Sequence, residues 1–146
     1  MSSDFKKFND FRKEINNNFC LIITASDFET QNLEKIIEPP ISGEKLLKFK
    51  YNENNYTFGK IKKMYVLNVQ CAIGSTGEDG SALVTLDALV FNPRIALLVG
   101  IAFGNKEYSK IGDILISKDI YNYEKCVIKD DADEAEKIKS AIKQPY

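Results

Sequence analysis

No histidine occurs anywhere in the 146 residues. That absence excludes Ser-His-Asp and Cys-His catalysis, histidine-ligated metals and histidine proton shuttles. Any general acid or base must be a carboxylate, a lysine, a tyrosine or a cysteine. Cysteine is scarce: Cys20, Cys71 and Cys126 are an odd, scattered set without CxxC spacing. They argue against a disulfide framework or a zinc site and read as buried free thiols in a reducing cytoplasm. Neither sign of charge is in excess, with 20 Lys+Arg against 21 Asp+Glu and the two interspersed. Nucleic-acid binding needs a concentrated basic face, which this pattern does not offer. No apolar run approaches the roughly 20 residues that span a bilayer. The opening Met1-Ser2-Ser3-Asp4-Phe5-Lys6-Lys7 lacks the apolar core of a signal peptide. The expectation is a cytoplasmic protein without metal or cofactor, bound to neither membrane nor nucleic acid.

What is present is ample material for a core. Hydrophobic residues make up 44% and charged residues 28%, the balance of an ordinary globular domain. Phe5, Phe8, Phe11 and Ile15 recur at spacings of three and four, which predicts an amphipathic helix within residues 1–18, capped by Ser3 or Asp4. Its phenylalanine stripe is expected to pack on the domain rather than on a membrane. Phe19 to Ala25 is a continuous apolar run and reads as a buried strand. Ser26 or Asp27 then caps a helix carrying Phe28, Leu33, Ile36 and Ile37, which Pro39-Pro40 stops. Leu46 to Phe49 and Tyr56 to Ile61 read as a hairpin across an Asn-rich link, and Met64 to Val69 as a further strand.

Residues 70–80 form a small-residue loop with glycines at 74, 77 and 80. Behind it Ala82, Leu83, Leu86, Leu89 and Val90 keep helical spacing, Pro93 ends the helix, and Ile95 to Val99 returns as a strand. Strand, loop, helix and strand make a βαβ unit with parallel strands. Ile114 to Ser117 reads as another strand, and residues 130–146 as a helical tail whose charges suit the helix dipole. The fold class is α/β, a mixed β-sheet flanked by helices.

Ligands of such sheets bind beyond the carboxyl ends of the strands. Three loops leave those ends here, at 25–29, 71–80 and 100–104. The glycine loop offers N–H groups at a helix start, suited to an anion or a ribose hydroxyl, but equally serves as a tight turn. It lacks Gly-Lys-Ser/Thr and G-x-G-x-x-G, so it is neither a P-loop nor a dinucleotide fingerprint. Glu29, on the first turn after the first strand, is the carboxylate best placed to act as a base. A glutamate there also simply complements the helix dipole. Asp79, Asp87 and Asp113 sit near turns and read as caps or loop supports.

The order Ile22-Ile23-Thr24-Ala25, Glu29, Cys71-Ala72-Ile73-Gly74, Val99-Gly100-Ile101-Ala102-Phe103-Gly104 and Ile111-Gly112-Asp113-Ile114-Leu115-Ile116-Ser117 resembles the nucleoside phosphorylase superfamily. Within it the chain is most similar to the methylthioadenosine/S-adenosylhomocysteine nucleosidase branch, over about residues 19 to 124. The resemblance implies a nucleoside phosphorylase-like fold across residues 19–129 and cleavage of a purine nucleoside's N-glycosidic bond, with methylthioadenosine as a model substrate. It implies that Glu29 activates the attacking water, and that Ile73, Gly74, Ile101, Ala102 and Phe103 line the substrate pocket.

Two departures bear on the reaction. Ile101 stands where the nucleosidases usually carry a serine. Arg12 and Arg94 are the only arginines, so a phosphate clamp is poorly served and hydrolysis is favoured over phosphorolysis. The family's ribose-gripping Met-Glu pair and its purine-protonating aspartate come from a second half that has no counterpart here. The resemblance therefore implies a domain truncated on its carboxyl side. Loss of the general acid costs on the order of two to four decades in rate. The alternative is a non-catalytic nucleoside-binding or interaction module. Either way, truncation predicts exposed apolar surface, and with it a homodimer or association with the missing half.

Overall fold

The computed structural model describes residues 2–73, 80–102, 104 and 107–117. The chain divides into two compact units, Met1–Leu115 and Ile116–Tyr146. The expected tail at 130–146 lies outside the described residues.

Helix α1 spans Ser3–Glu14 and is capped one residue earlier than expected, by the Ser2 hydroxyl, which accepts the Phe5 N–H. It ends at paired positive-φ residues, Asn16 and Asn17, where asparagine tolerates the left-handed conformation. Strand β1 (Phe19–Thr24) follows, then α2 (Asp27–Glu34). The second helix stops well before the prolines. The chain beyond it instead bonds across to the sheet, where Glu38 exchanges two backbone hydrogen bonds with Lys60. Gly59 permits that approach, since a Cβ there would overlap Glu38 O and the Ile37 side chain.

Strands β2 (Leu47–Tyr51), β3 (Asn54–Ile61) and β4 (Met64–Gln70) form an antiparallel meander. Its first turn is the two residues Asn52 and Glu53, with φ of 45° and 66°, a hairpin geometry whose twist matches that of the strands. After the glycine loop come α3 (Ser81–Leu89) and β5 (Ile95–Leu98). The strand order is β2-β3-β4-β1-β5, with β4 and β5 both parallel to the β1 strand between them. The βαβ unit therefore steps over β1 rather than joining neighbours.

Alternation along β1 divides the core. Phe19, Leu21 and Ile23 pack on one face with Phe5 and Phe8 of α1 and Val84 and Ala88 of α3. Cys20 and Ile22 face the other layer, with Val66 and Ile37 and with Leu33 of α2 against them. The first layer is built on aromatic rings. Phe8 is fully buried, with ring centroids of Phe49, Phe58, Phe91 and Phe19 at 4.8, 5.0, 5.2 and 6.0 Å, the range of favourable stacked and edge-to-face pairs. The expected phenylalanine stripe thus belongs to the same core as the sheet.

One further expectation fails. Ile114 to Ser117 is not a strand: residues 113–117 have no regular structure and are exposed. An apolar run becomes a strand only when a partner edge satisfies its backbone, and none is placed beside it among the described residues. On α3 the large residues Leu83, Leu86, Leu89 and Val90 are exposed, while Val84, Ala88 and Phe91 are buried.

Candidate functional site

The parallel strands β4, β1 and β5 end at one edge, where Cys71 N–H bonds Thr24 O and Val99 N–H bonds Ile23 O. From this edge α2 leaves on one face of the sheet and α3 lies on the other, as the two core layers show. Chain divergence of this kind opens the crevice in which α/β sheets bind ligands.

Glu29 sits there at the third residue of α2. Ser26 Oγ accepts the Glu29 N–H at 3.3 Å, while Glu29 Oε2 accepts the N–H groups of Ser26 at 3.1 Å and Ala25 at 3.0 Å. That is a capping box, the Ser-x-x-Glu arrangement that satisfies the orphan donors of a helix start. The other oxygen, Oε1, accepts the Ile101 N–H at 2.8 Å. One carboxylate therefore joins the end of β1 to the segment beyond β5. Gly100 permits the approach, since a Cβ there would stand 3.0 Å from Oε1.

These bonds act on its acidity. The Ile101 N–H foremost, then those of Ala25 and Ser26, hold the carboxyl below the usual glutamate range against a smaller opposing effect of burial. Glu29 is thus ionised at neutral pH. Such a group is a weak base but a firmly oriented acceptor, and an oxygen with one bond made retains capacity for a water or hydroxyl. Burial foremost, and then the Glu29 charge, push the Cys71 thiol up. Cys71 and Cys20 are buried free thiols, and Cys126 lies outside the described residues.

The structure brings Glu29 and Ile101 into direct contact. The Ile101 contribution is its backbone N–H, a donor that does not depend on the side chain. Ile73 and Ile101 are exposed, at 86% and 70%, and Ala102 is exposed as well. Gly74 and Phe103 lie outside the described residues, as does Asp79. Asp87 and Asp113 support loops as expected. Asp87 accepts from the amides of Asn52 and Asn54, and Asp113 accepts the Lys110 N–H at 2.8 Å.

A second polar feature escaped the sequence reading. A groove of about 480 Å³ runs between α2 and strands β3 and β4, lined by Asp27, Thr30, Glu34, Thr57, Asn68 and Gln70 among others. Residues 27, 30 and 34 share one helical face, with Glu29 on the opposite flank, so groove and carboxylate are separate. Inside it Asn68 Nδ2 donates to Thr24 Oγ1, Thr24 and Thr30 share a 2.7 Å hydroxyl contact, Thr30 donates to Gln70 Oε1 and Gln70 Nε2 donates to Asp27. Burial raises the Glu34 carboxyl, but the Lys48 ammonium and the Thr57 hydroxyl outweigh it and leave the group lowered. Only the period-two placement of Asn68 and Gln70 on β4 could have signalled this chain of bonds.

Both arginines are engaged elsewhere. Arg12 bonds Phe91 O and Asn17, and Arg94 bonds Asn18. Asn17 and Asn18 precede β1, whereas Glu29 lies past its far end, about 20 Å away for a six-residue strand. Among the described residues no cluster of three or more Cys, Asp or Glu could hold a metal, and no helix is long and apolar enough to cross a membrane. No family model matches the chain, and no curated protein matches it.

Proposed function

We propose that this chain carries the nucleophile side of a nucleosidase site, in which water cleaves the N-glycosidic bond of a purine nucleoside. The observation that carries the reading is the Glu29 carboxylate, ionised and aimed by the Ile101 N–H at the common carboxyl edge of β4, β1 and β5. As the bond to the purine breaks, positive charge develops on the ribosyl carbon. A fixed carboxylate then stabilises that charge and orients a water for attack, which requires little basicity once the carbon is cationic. Ile73, Gly74, Ile101, Ala102 and Phe103 line the pocket in this reading. The station of both arginines at the opposite edge supports water over phosphate as the nucleophile.

In the same reading the sheet is the amino-terminal half of a nucleoside phosphorylase-like domain. The sequence contains no Met-Glu pair to grip the ribose. One observation favours a second reading, a nucleoside-binding module without turnover: three backbone donors already occupy Glu29, which serves as a helix cap.

Release of adenine from methylthioadenosine, followed by chromatography, separates the two. The first reading expects slow release that falls by about two to four decades in Glu29→Gln. Nucleoside binding by calorimetry without release would support the module. Neither release nor binding would sink both.

A further inference from the structure

We propose that the two oxygens of Glu29 divide the work, and that Gly100 is the positioning residue that holds Oε1 for the reaction while Oε2 caps the helix. The proposal rests on the hydrolytic reading of the site and gives a role there to a residue without a side chain.

Oε2 accepts two N–H groups, those of Ala25 and Ser26, at the start of α2. With the Ser26 hydroxyl these bonds complete the capping box. Oε1 accepts one, from Ile101, 72 positions away. A carboxylate oxygen offers two lone pairs. Among the described residues Oε2 has both engaged, whereas Oε1 keeps one for a water.

Gly100 borders the oxygen with the spare lone pair. A Cβ there would stand 3.0 Å from Oε1, 3.6 Å from Cδ and 3.7 Å from Oε2, and its three nearest heavy atoms are therefore all of the Glu29 carboxyl group. The φ of Gly100 lies outside the left-handed region, so the backbone does not call for glycine at this point. Glycine also loses more chain entropy on folding than alanine would. What its missing side chain accommodates is the carboxylate. A methyl group at position 100 would press on Oε1 and leave Oε2 at ordinary contact distance. It would thereby separate the two roles of Glu29, which substitution of Glu29 itself alters together.

The test uses the full chain carrying Gly100→Ala, with Gly100→Val as the larger step. In carbon NMR the Glu29 Cδ resonance should shift in Gly100→Ala. Hydrogen exchange of the Ile101 amide should accelerate, while the Ala25 and Ser26 amides exchange as in the wild type. In adenine release from methylthioadenosine, kcat should fall about tenfold in Gly100→Ala and about a hundredfold in Gly100→Val, because a misplacement of about 1 Å at a reacting group costs on the order of 10²-fold. KM should stay nearly constant, since the added atoms touch the carboxylate first. If the wild-type chain releases no adenine, the hydrolytic reading falls, and the resonance and exchange measurements, which need no turnover, decide the division between the oxygens. An unmoved Glu29 resonance, loss of protection at Ala25 and Ser26 together with Ile101, or a kcat indifferent to both substitutions overturns the proposal.

Discussion

Strands β1 and β5 are written in nearly the same alphabet and run side by side in parallel, yet they live in different environments. Every residue of β1, Phe19–Thr24, is buried, whereas every residue of β5, Ile95–Leu98, is exposed. β1 has a strand on each side, with α1 and α3 on one face and α2 on the other. Among the described residues β5 has one neighbour. An apolar run therefore reports that a strand wants cover, and the arrangement of its neighbours decides whether the described chain provides it.

Removing the same atoms from each strand should expose the difference. Leu21→Ala, at a position with no accessible surface, should destabilise by about 2–5 kcal/mol in urea unfolding, because it leaves a cavity between α1, α3 and the sheet. A loss below about 1 kcal/mol would mean that β1 is not the centre of the core.

The bond network at Glu29 tests how the two strand ends are tied. Glu29→Ala removes the acceptor of three N–H groups and should cost about 1–2 kcal/mol, as loss of a helix cap does. Hydrogen exchange of the Ile101 amide should accelerate with it. If that exchange is unchanged, the tie between β1 and β5 does not hold in solution.

Acid should weaken the same tie. The folded carboxyl of Glu29 lies below its ordinary value, so its contribution is fully present above the unfolded glutamate pKa of about 4.3 and is lost as pH falls through the lower folded value. Wild-type stability should therefore drop through that acid window by more than that of Glu29→Gln. Parallel curves for the two proteins would contradict the tie.

The smallest effect is expected at the other strand. Leu98→Ala should change stability by no more than about 0.5 kcal/mol, as an exposed position does. A loss as large as that of Leu21→Ala would erase the contrast between the strands.

Much of the fold was legible because it is governed by local periodicity. The i, i+3 and i+4 phenylalanines of α1, the Ser26 cap, the Asn-rich turn and the apolar runs of β1, β4 and β5 each follow from spacing that brings one face to bear. Glu29 was legible in two roles at once, as a carboxylate at a strand end and as a complement to the helix dipole, while the capping box that Ser26-x-x-Glu29 forms was a third that went unread. The bond to Ile101 was not legible. It joins residues 72 positions apart and exists only because β5 lies against β1.

Other features had no local signature at all. The hydroxyl and amide chain from Asn68 to Asp27 depends on α2 lying over β4. The exposure of Leu83, Leu86, Leu89 and Val90 depends on which face of α3 meets the sheet, and its helical period is the same either way. Ile114 to Ser117 has the composition of a strand, but composition cannot supply a pairing edge.

Taken by itself, the sequence determined the chemistry that is unavailable, the element types and the residue types of the core, because these depend on side-chain identity and on spacing along one chain. The tertiary structure alone decided strand order, which apolar surfaces are covered, and that one glutamate binds the ends of two strands. Those outcomes rest on contacts between distant segments, whose energies exist only once the chain has brought them together.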